Sequence, residues 1–205
     1  HRFGILLLFA SATSVFSQQG GLPADLVANA AQPVQAGTGY SFTEGSSVAS
    51  DGRVFFTDQP NDKIFVWDEN AGISVFKEGC ERSNGTWFDK QGNLIACADL
   101  HNKLVKFTPA GQMITLLETG YEGKHFNGPN DVWEDSKGGI YFTDPYYKRD
   151  YWEEGHAQIQ DVQGVYYLKP NGDLIRVIDD LKQPNGIVGT PDGKTLYVAD
   201  IVGRT

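Results

Sequence analysis

The chain has 205 residues, 40% of them hydrophobic and 12% aromatic, which suits one sizeable folded core and excludes a disordered or collagen-like chain. A formal net charge of −9 argues against the basic face that a nucleic-acid partner requires, and is compatible with a bound cation or with a merely well-solvated acidic surface. A single Met beside 24 Gly, 9 Tyr and 12 Phe favours strands and tight turns over helices.

In chain order, residues 3–16 form an apolar run too short for a membrane span, with Val15 and Ser17 at the −3 and −1 positions of a signal-peptidase site. Because the chain starts at His1 and not at Met, residues 1–17 read as a secretory signal peptide incomplete at its start, which predicts a secreted or periplasmic protein. Residues 18–40, rich in Gly, Ala, Pro and Gln, read as a linker or leading arm, and residues 41–205 as the folded domain.

From there a pattern repeats. Strands are expected over 54–58, 63–67 and 73–76. A second copy is expected over 87–93, 94–99, 103–107 and 113–117, and a third over 132–144, 164–168 and 174–178. A fourth, over 187–200, breaks off. Turn pairs such as Asp51-Gly52, Asn171-Gly172 and Asp192-Gly193 punctuate the copies. The period of roughly 40 to 55 residues is that of a propeller blade. The fold class is therefore all-β: a β-propeller, here a truncated arc of about three and a half blades, with an open sandwich of the same strands as the alternative. Residues 146–161 interrupt the third copy with a Tyr-, Trp- and Glu-rich insertion, of the kind that lines or covers a site.

Cys80 and Cys97 leave a disulfide open, although Cys97 lies within a strand where a small buried thiol fits, and no Cys/His spacing suggests zinc. Four residues recur at one phase of the repeat, in the loop just before the inner strands: Glu44, Asn84, Asn130 and Asn185. Each Asn alone is ordinary Asn-Gly-type turn chemistry, and Asn84-Gly85-Thr86 also fits a glycosylation sequon. At matched phase in four consecutive repeats they converge on one axis, where a carboxylate and several amide oxygens make a hard-oxygen cage suited to calcium. Asp131 is a candidate acid or the orienter of the Asn130 loop, and Asp200 a candidate acid or a strand-end cap. His101, His125 and His156 have no assigned place; His101 reads either as a substrate contact or as a solvated loop residue.

The Glu44-Gly45 opening, Asn127-Gly128-Pro129-Asn130-Asp131, Gly139-Ile140-Tyr141-Phe142-Thr143-Asp144-Pro145 and the run from Pro184-Asn185-Gly186-Ile187 to Asp200 resemble the senescence marker protein/gluconolactonase/luciferin-regenerating enzyme family, over about residues 40–205 and most nearly its secreted bacterial gluconolactonase-type members. The resemblance implies a six-bladed propeller that hydrolyses a sugar lactone at a divalent cation in its central channel. The cation is most often Ca2+, with Zn2+ possible. Glu44, Asn130 and Asn185 match the metal ligands, and Asn84 and Asn130 match substrate-binding positions. The family has Pro after Glu-Gly where this chain has Ser46. The family's acid/base aspartate falls in a later blade, beyond Thr205, which leaves the catalytic residue unknown. An organophosphate or other ester hydrolase and a non-catalytic binding propeller are the competing readings. A small lactone is the expected partner, with no nucleic acid and no membrane span.

Overall fold

The structure is a computed structural model that describes residues 33–118, 120–151 and 157–203. The expected signal peptide, most of the leading arm and His156 lie outside the described residues.

Three four-stranded antiparallel meanders follow one another along the chain. The first comprises β1 (Thr43–Val48), β2 (Val54–Asp58), β3 (Lys63–Asp68) and β4 (Gly72–Glu78). The second comprises β5 (Ser83–Phe88), β6 (Leu94–Ala98), β7 (Lys103–Phe107) and β8 (Met113–Leu117). The third comprises β9 (Val132–Glu134), β10 (Ile140–Asp144), β11 (Gly164–Leu168) and β12 (Leu174–Ile178). A two-stranded sheet of β13 (Pro184–Gly189) and β14 (Leu196–Asp200) comes last. These are three blades and the inner half of a fourth in a β-propeller, and the open sandwich does not occur.

The turn chemistry sets the hairpins. The first and second strands of each blade are joined by a turn in which a glycine N–H donates to the carbonyl three residues back: Gly52 to Ala49, Gly92 to Asp89, Gly138 to Asp135 and Gly193 to Thr190. Those four glycines carry φ between +68° and +92°, a region that strains a side-chain-bearing residue.

Strand β6 shows how the blades stack. All five of its residues are buried, because both faces of its sheet are covered. Leu94, Ala96 and Ala98 pack with Phe55, Ile64, Val66 and Val105 in a core between the first and second blades. Ile95 and Cys97 point the other way and pack with Phe126, Val132, Phe142 and Tyr166 between the second and third. A smaller core of Trp133, Val165 and Ile187 joins the third blade to the fourth. The period-2 side-chain alternation thus feeds two interfaces at once. Cys80 and Cys97 are both free and buried, one in each of the first two cores, so the disulfide does not form.

Candidate functional site

The inner strands touch in the order β1, β5, β9, β13. Thr86 Oγ1 donates to the Gly45 carbonyl (2.5 Å), Gly85 N–H to the Asn130 carbonyl (2.7 Å) and Ile187 N–H to Asp131 Oδ2 (2.9 Å). Thr57 of β2 and Thr143 of β10 each reach across to the following blade, donating to the carbonyls of Asn84 (3.0 Å) and Asn185 (2.7 Å). The same stitch binds successive blades at the end of the arc where the four candidate residues lie.

The structure corrects one expectation here. Glu44, Asn84 and Asn185 are not in loops before the inner strands but inside β1, β5 and β13; only Asn130 precedes its strand. Each of the three sits where the pairing register breaks, between Glu44 and Ser47, Ser83 and Thr86, and Pro184 and Ile187. Such irregularities turn a side chain out of the alternation while the strand continues. Short-range turn signals and a bulge look alike in sequence, because both favour Asn-Gly.

The residue after each candidate explains how closely the strands approach. It is Gly45, Gly85 and Gly186 in three blades. A Cβ on Gly85 would overlap Asp131 Oδ1 and the Asn130 carbonyl. In the third blade this position is Asp131, whose carboxylate reaches the Ile187 N–H of the next blade and so ties the Asn130 and Asn185 segments together. Burial raises the Asp131 pKa to about 6 against the pull of the Ile187 and Val132 N–H groups, and the nearby charge of Glu44 adds to the rise.

Asn84 and Asn130 are 3% and 6% exposed, yet neither side-chain amide has a protein hydrogen bond among the described residues. Burial also excludes Asn84 as a glycan acceptor. Glu44 is reached by solvent but recessed among protein atoms: desolvation holds its pKa above the usual value, opposed by the Gly45 N–H (3.3 Å) and by the Arg149 charge. Asn185 gives its amide N–H to the Tyr147 hydroxyl (2.9 Å), which leaves its Oδ1 available. The donor chemistry fits a divalent cation: one carboxylate and neutral amide oxygens, without thiolate or imidazole. Among the described residues no group of three His, Cys, Asp or Glu gathers as an alternative metal site.

Two features lay outside the sequence reading, and a third bears out one of its alternatives, the strand-end cap at Asp200. Tyr147 and Arg149, from the insertion, reach the site: Tyr147 accepts the Asn185 amide N–H, and the Arg149 charge acts on Glu44. Asp144 closes β10 and accepts the N–H groups of Asn127 (2.9 Å) and Gly128 (2.8 Å), fixing the segment that carries Asn130. Asp200 does the same for Lys182 (3.0 Å) and Gln183 (2.9 Å) ahead of Asn185, which makes it a strand-end cap. A carboxylate ending the second strand was visible in all four repeats, as Asp58, Asp99, Asp144 and Asp200, but the partners of Asp144 and Asp200 lie 16 to 18 residues away. His101 is exposed, with Nδ1 2.6 Å from Glu81 Oε2, and His125 is exposed as well.

Comparison with known proteins agrees with this architecture. The chain is 26% identical to a gluconolactonase of Zymomonas mobilis over 86% of its own length and 54% of that protein's. A shorter match, 36% identical over 41% of the chain and 19% of the relative, is to a lactonohydrolase of Aspergillus oryzae. A solved gluconolactonase from Xanthomonas campestris superposes with a TM-score of 0.73 at 28% identity, over 79% of this chain and 55% of that one. The chain thus spans about half the length of the gluconolactonases it matches. Residues 42–205 match the SMP-30/Gluconolactonase/LRE-like region, and the chain belongs to that family.

Proposed function

We propose that this protein hydrolyses a sugar lactone with the help of a divalent cation, most naturally Ca2+, at the end of the arc where Glu44, Asn84, Asn130 and Asn185 converge. The observation that carries the reading is the pair of side-chain amides of the largely buried Asn84 and Asn130, without protein partners among the described residues and beside a recessed carboxylate. Membership of a family with gluconolactonases supports the substrate class. The signal-like residues 1–17 support a secreted or periplasmic location.

In this reading Glu44 supplies the charge that holds the cation, and Asn185 and Asn130 supply neutral oxygens. A cation held by these residues would supply Lewis-acid polarisation of a lactone carbonyl and favour negative charge on its oxygen. Asn84 and Asn130 orient the ring through their amides. Asp131 positions the Asn130 and Asn185 segments relative to each other through Ile187 N–H. No described residue is assigned the proton transfer.

The test is acid release from gluconolactone by the full-length protein, followed by pH-stat with added Ca2+, with chelator, and with Glu44→Gln. Turnover that requires both cation and Glu44 is expected, with a Ca2+-dependent rise in melting temperature that Glu44→Gln abolishes. Cation binding without turnover on any lactone would redirect the assignment to another ester, and the absence of both would leave a binding propeller.

A further inference from the structure

Residues 146–151, which open the insertion after β10, are tied to the fourth blade on one side and to the second on the other. Gln183 Nε2 donates to the Tyr146 carbonyl (3.1 Å) and Asn185 Nδ2 to the Tyr147 hydroxyl (2.9 Å), which holds one end over the fourth blade. At the other end Arg149 Nε donates to Asp99 Oδ2 (3.0 Å) at the exit of β6, and Tyr151 donates to the same oxygen. Asp99 is itself buried and also accepts from Gln59 Nε2 (3.1 Å). The Arg149 guanidinium stands 5.1 Å from the centre of the Tyr147 ring, and its charge is felt by Glu44. Anchored by Nε and by the ring, the guanidinium keeps its two terminal amino groups without a protein hydrogen bond among the described residues.

We propose that Arg149 is a substrate-contacting, specificity-determining residue, whose terminal amino groups bind a pair of neighbouring ring hydroxyls on a polyhydroxylated lactone. The proposal rests on the lactonase reading above and adds which lactones the site selects. A planar fork with two parallel N–H donors matches two oxygens on adjacent carbons, which an ammonium cannot match. The surrounding charge argues for neutral hydroxyls over a substrate carboxylate: Asp99 already pairs with Arg149, Glu44 faces it, and a third carboxylate would add like charge.

The full-length protein is assayed on two substrates, gluconolactone and unsubstituted δ-valerolactone, with Arg149→Met and Arg149→Lys. Met keeps an unbranched stem of similar reach without donors; Lys keeps the charge without the fork. Both variants are expected to raise KM for gluconolactone about tenfold more than KM for δ-valerolactone, with little change in kcat. Equal losses on both substrates would show that Arg149 only holds the insertion in place, and unchanged KM for gluconolactone would show that it contacts nothing; either result overturns the proposal. If the wild-type protein turns over neither lactone, the lactonase reading fails. Calorimetric binding of an acyclic polyol, weakened by Arg149→Met or not, then decides the role of Arg149 separately.

Discussion

Asp144 and Asp200 occupy the same place in their blades and accept the same kind of backbone donors, yet their carboxyls shift in opposite directions. Asp200 is also screened from solvent, but the N–H groups of Lys182, Gly203 and Gln183 outweigh its desolvation and hold its pKa below the usual value. Asp144 is fully buried between blades. Desolvation outweighs the Asn127 and Gly128 N–H groups, the charge of Asp99 adds to it, and the pKa rises to about 7. A carboxyl whose folded pKa is raised keeps its proton in the fold after the unfolded chain has lost it. Its contribution is therefore fully present below about pH 4 and is lost as the pH rises through about 7. Asp144→Asn cannot titrate. The stability of the wild type relative to this variant should thus fall by on the order of 2 to 4 kcal/mol between those limits, as read from urea unfolding across the range. A pH-independent difference would show that Asp144 is ionised in the fold throughout.

At the scale of the element, β5 and the insertion carry the site in different ways. In β5, Gly85 lets the strand lie against Asn130 and Asp131, so Gly85→Ala must push two site residues apart. It should cost about 1 to 3 kcal/mol and, on the proposed cation-dependent function, weaken the expected Ca2+-dependent rise in melting temperature. Gly172→Ala is the control: its φ of +91° strains an alanine by about 1 kcal/mol, but nothing lies close to the added methyl, and the Ca2+ response should be unchanged. In the insertion, Tyr147→Phe removes only the hydroxyl that receives the Asn185 amide. Freed to rotate, Asn185 should hold its oxygen toward a cation less well, lowering Ca2+ affinity by about tenfold in a calorimetric titration with little change in stability.

For the whole molecule, the fourth blade matters most. Its inward face packs Ile187, Leu196 and Val198 against the third blade. Its outward face presents the cross-strand pair Val188 and Tyr197, 45% and 61% exposed, with Ile201 and Val202 at 55% just beyond. Among the described residues this two-stranded sheet has an apolar outer face and no third strand, a template for association. The isolated 205-residue chain should therefore associate with rising concentration in sedimentation velocity despite its net charge of −9, and the double variant Val188→Lys/Tyr197→Lys should suppress this. Association that persists in the double variant would place the sticky surface elsewhere.

The amino-acid sequence alone determined the blade count, the hairpin turns and the phase at which Glu44, Asn84, Asn130 and Asn185 recur. These depend on contacts a few residues apart: alternation along a strand, Asp-Gly and Asn-Gly turns, and a repeat of fixed period. The tertiary structure decided the rest. Only stacking of the blades shows that β6 is buried on both faces, that Asp131 stands where the other blades have glycine, and that Asp144 and Asp200 cap segments 16 to 18 residues away. Arg149 was illegible for the same reason. Its partner Asp99 is 50 residues distant, and nothing in an exposed-looking Tyr-Tyr-Lys-Arg-Asp-Tyr stretch encodes which carboxylate will hold its guanidinium. Local periodicity is written in a sequence because it arises from neighbouring residues; convergence on an axis arises from closing sheets against one another, which no single blade specifies.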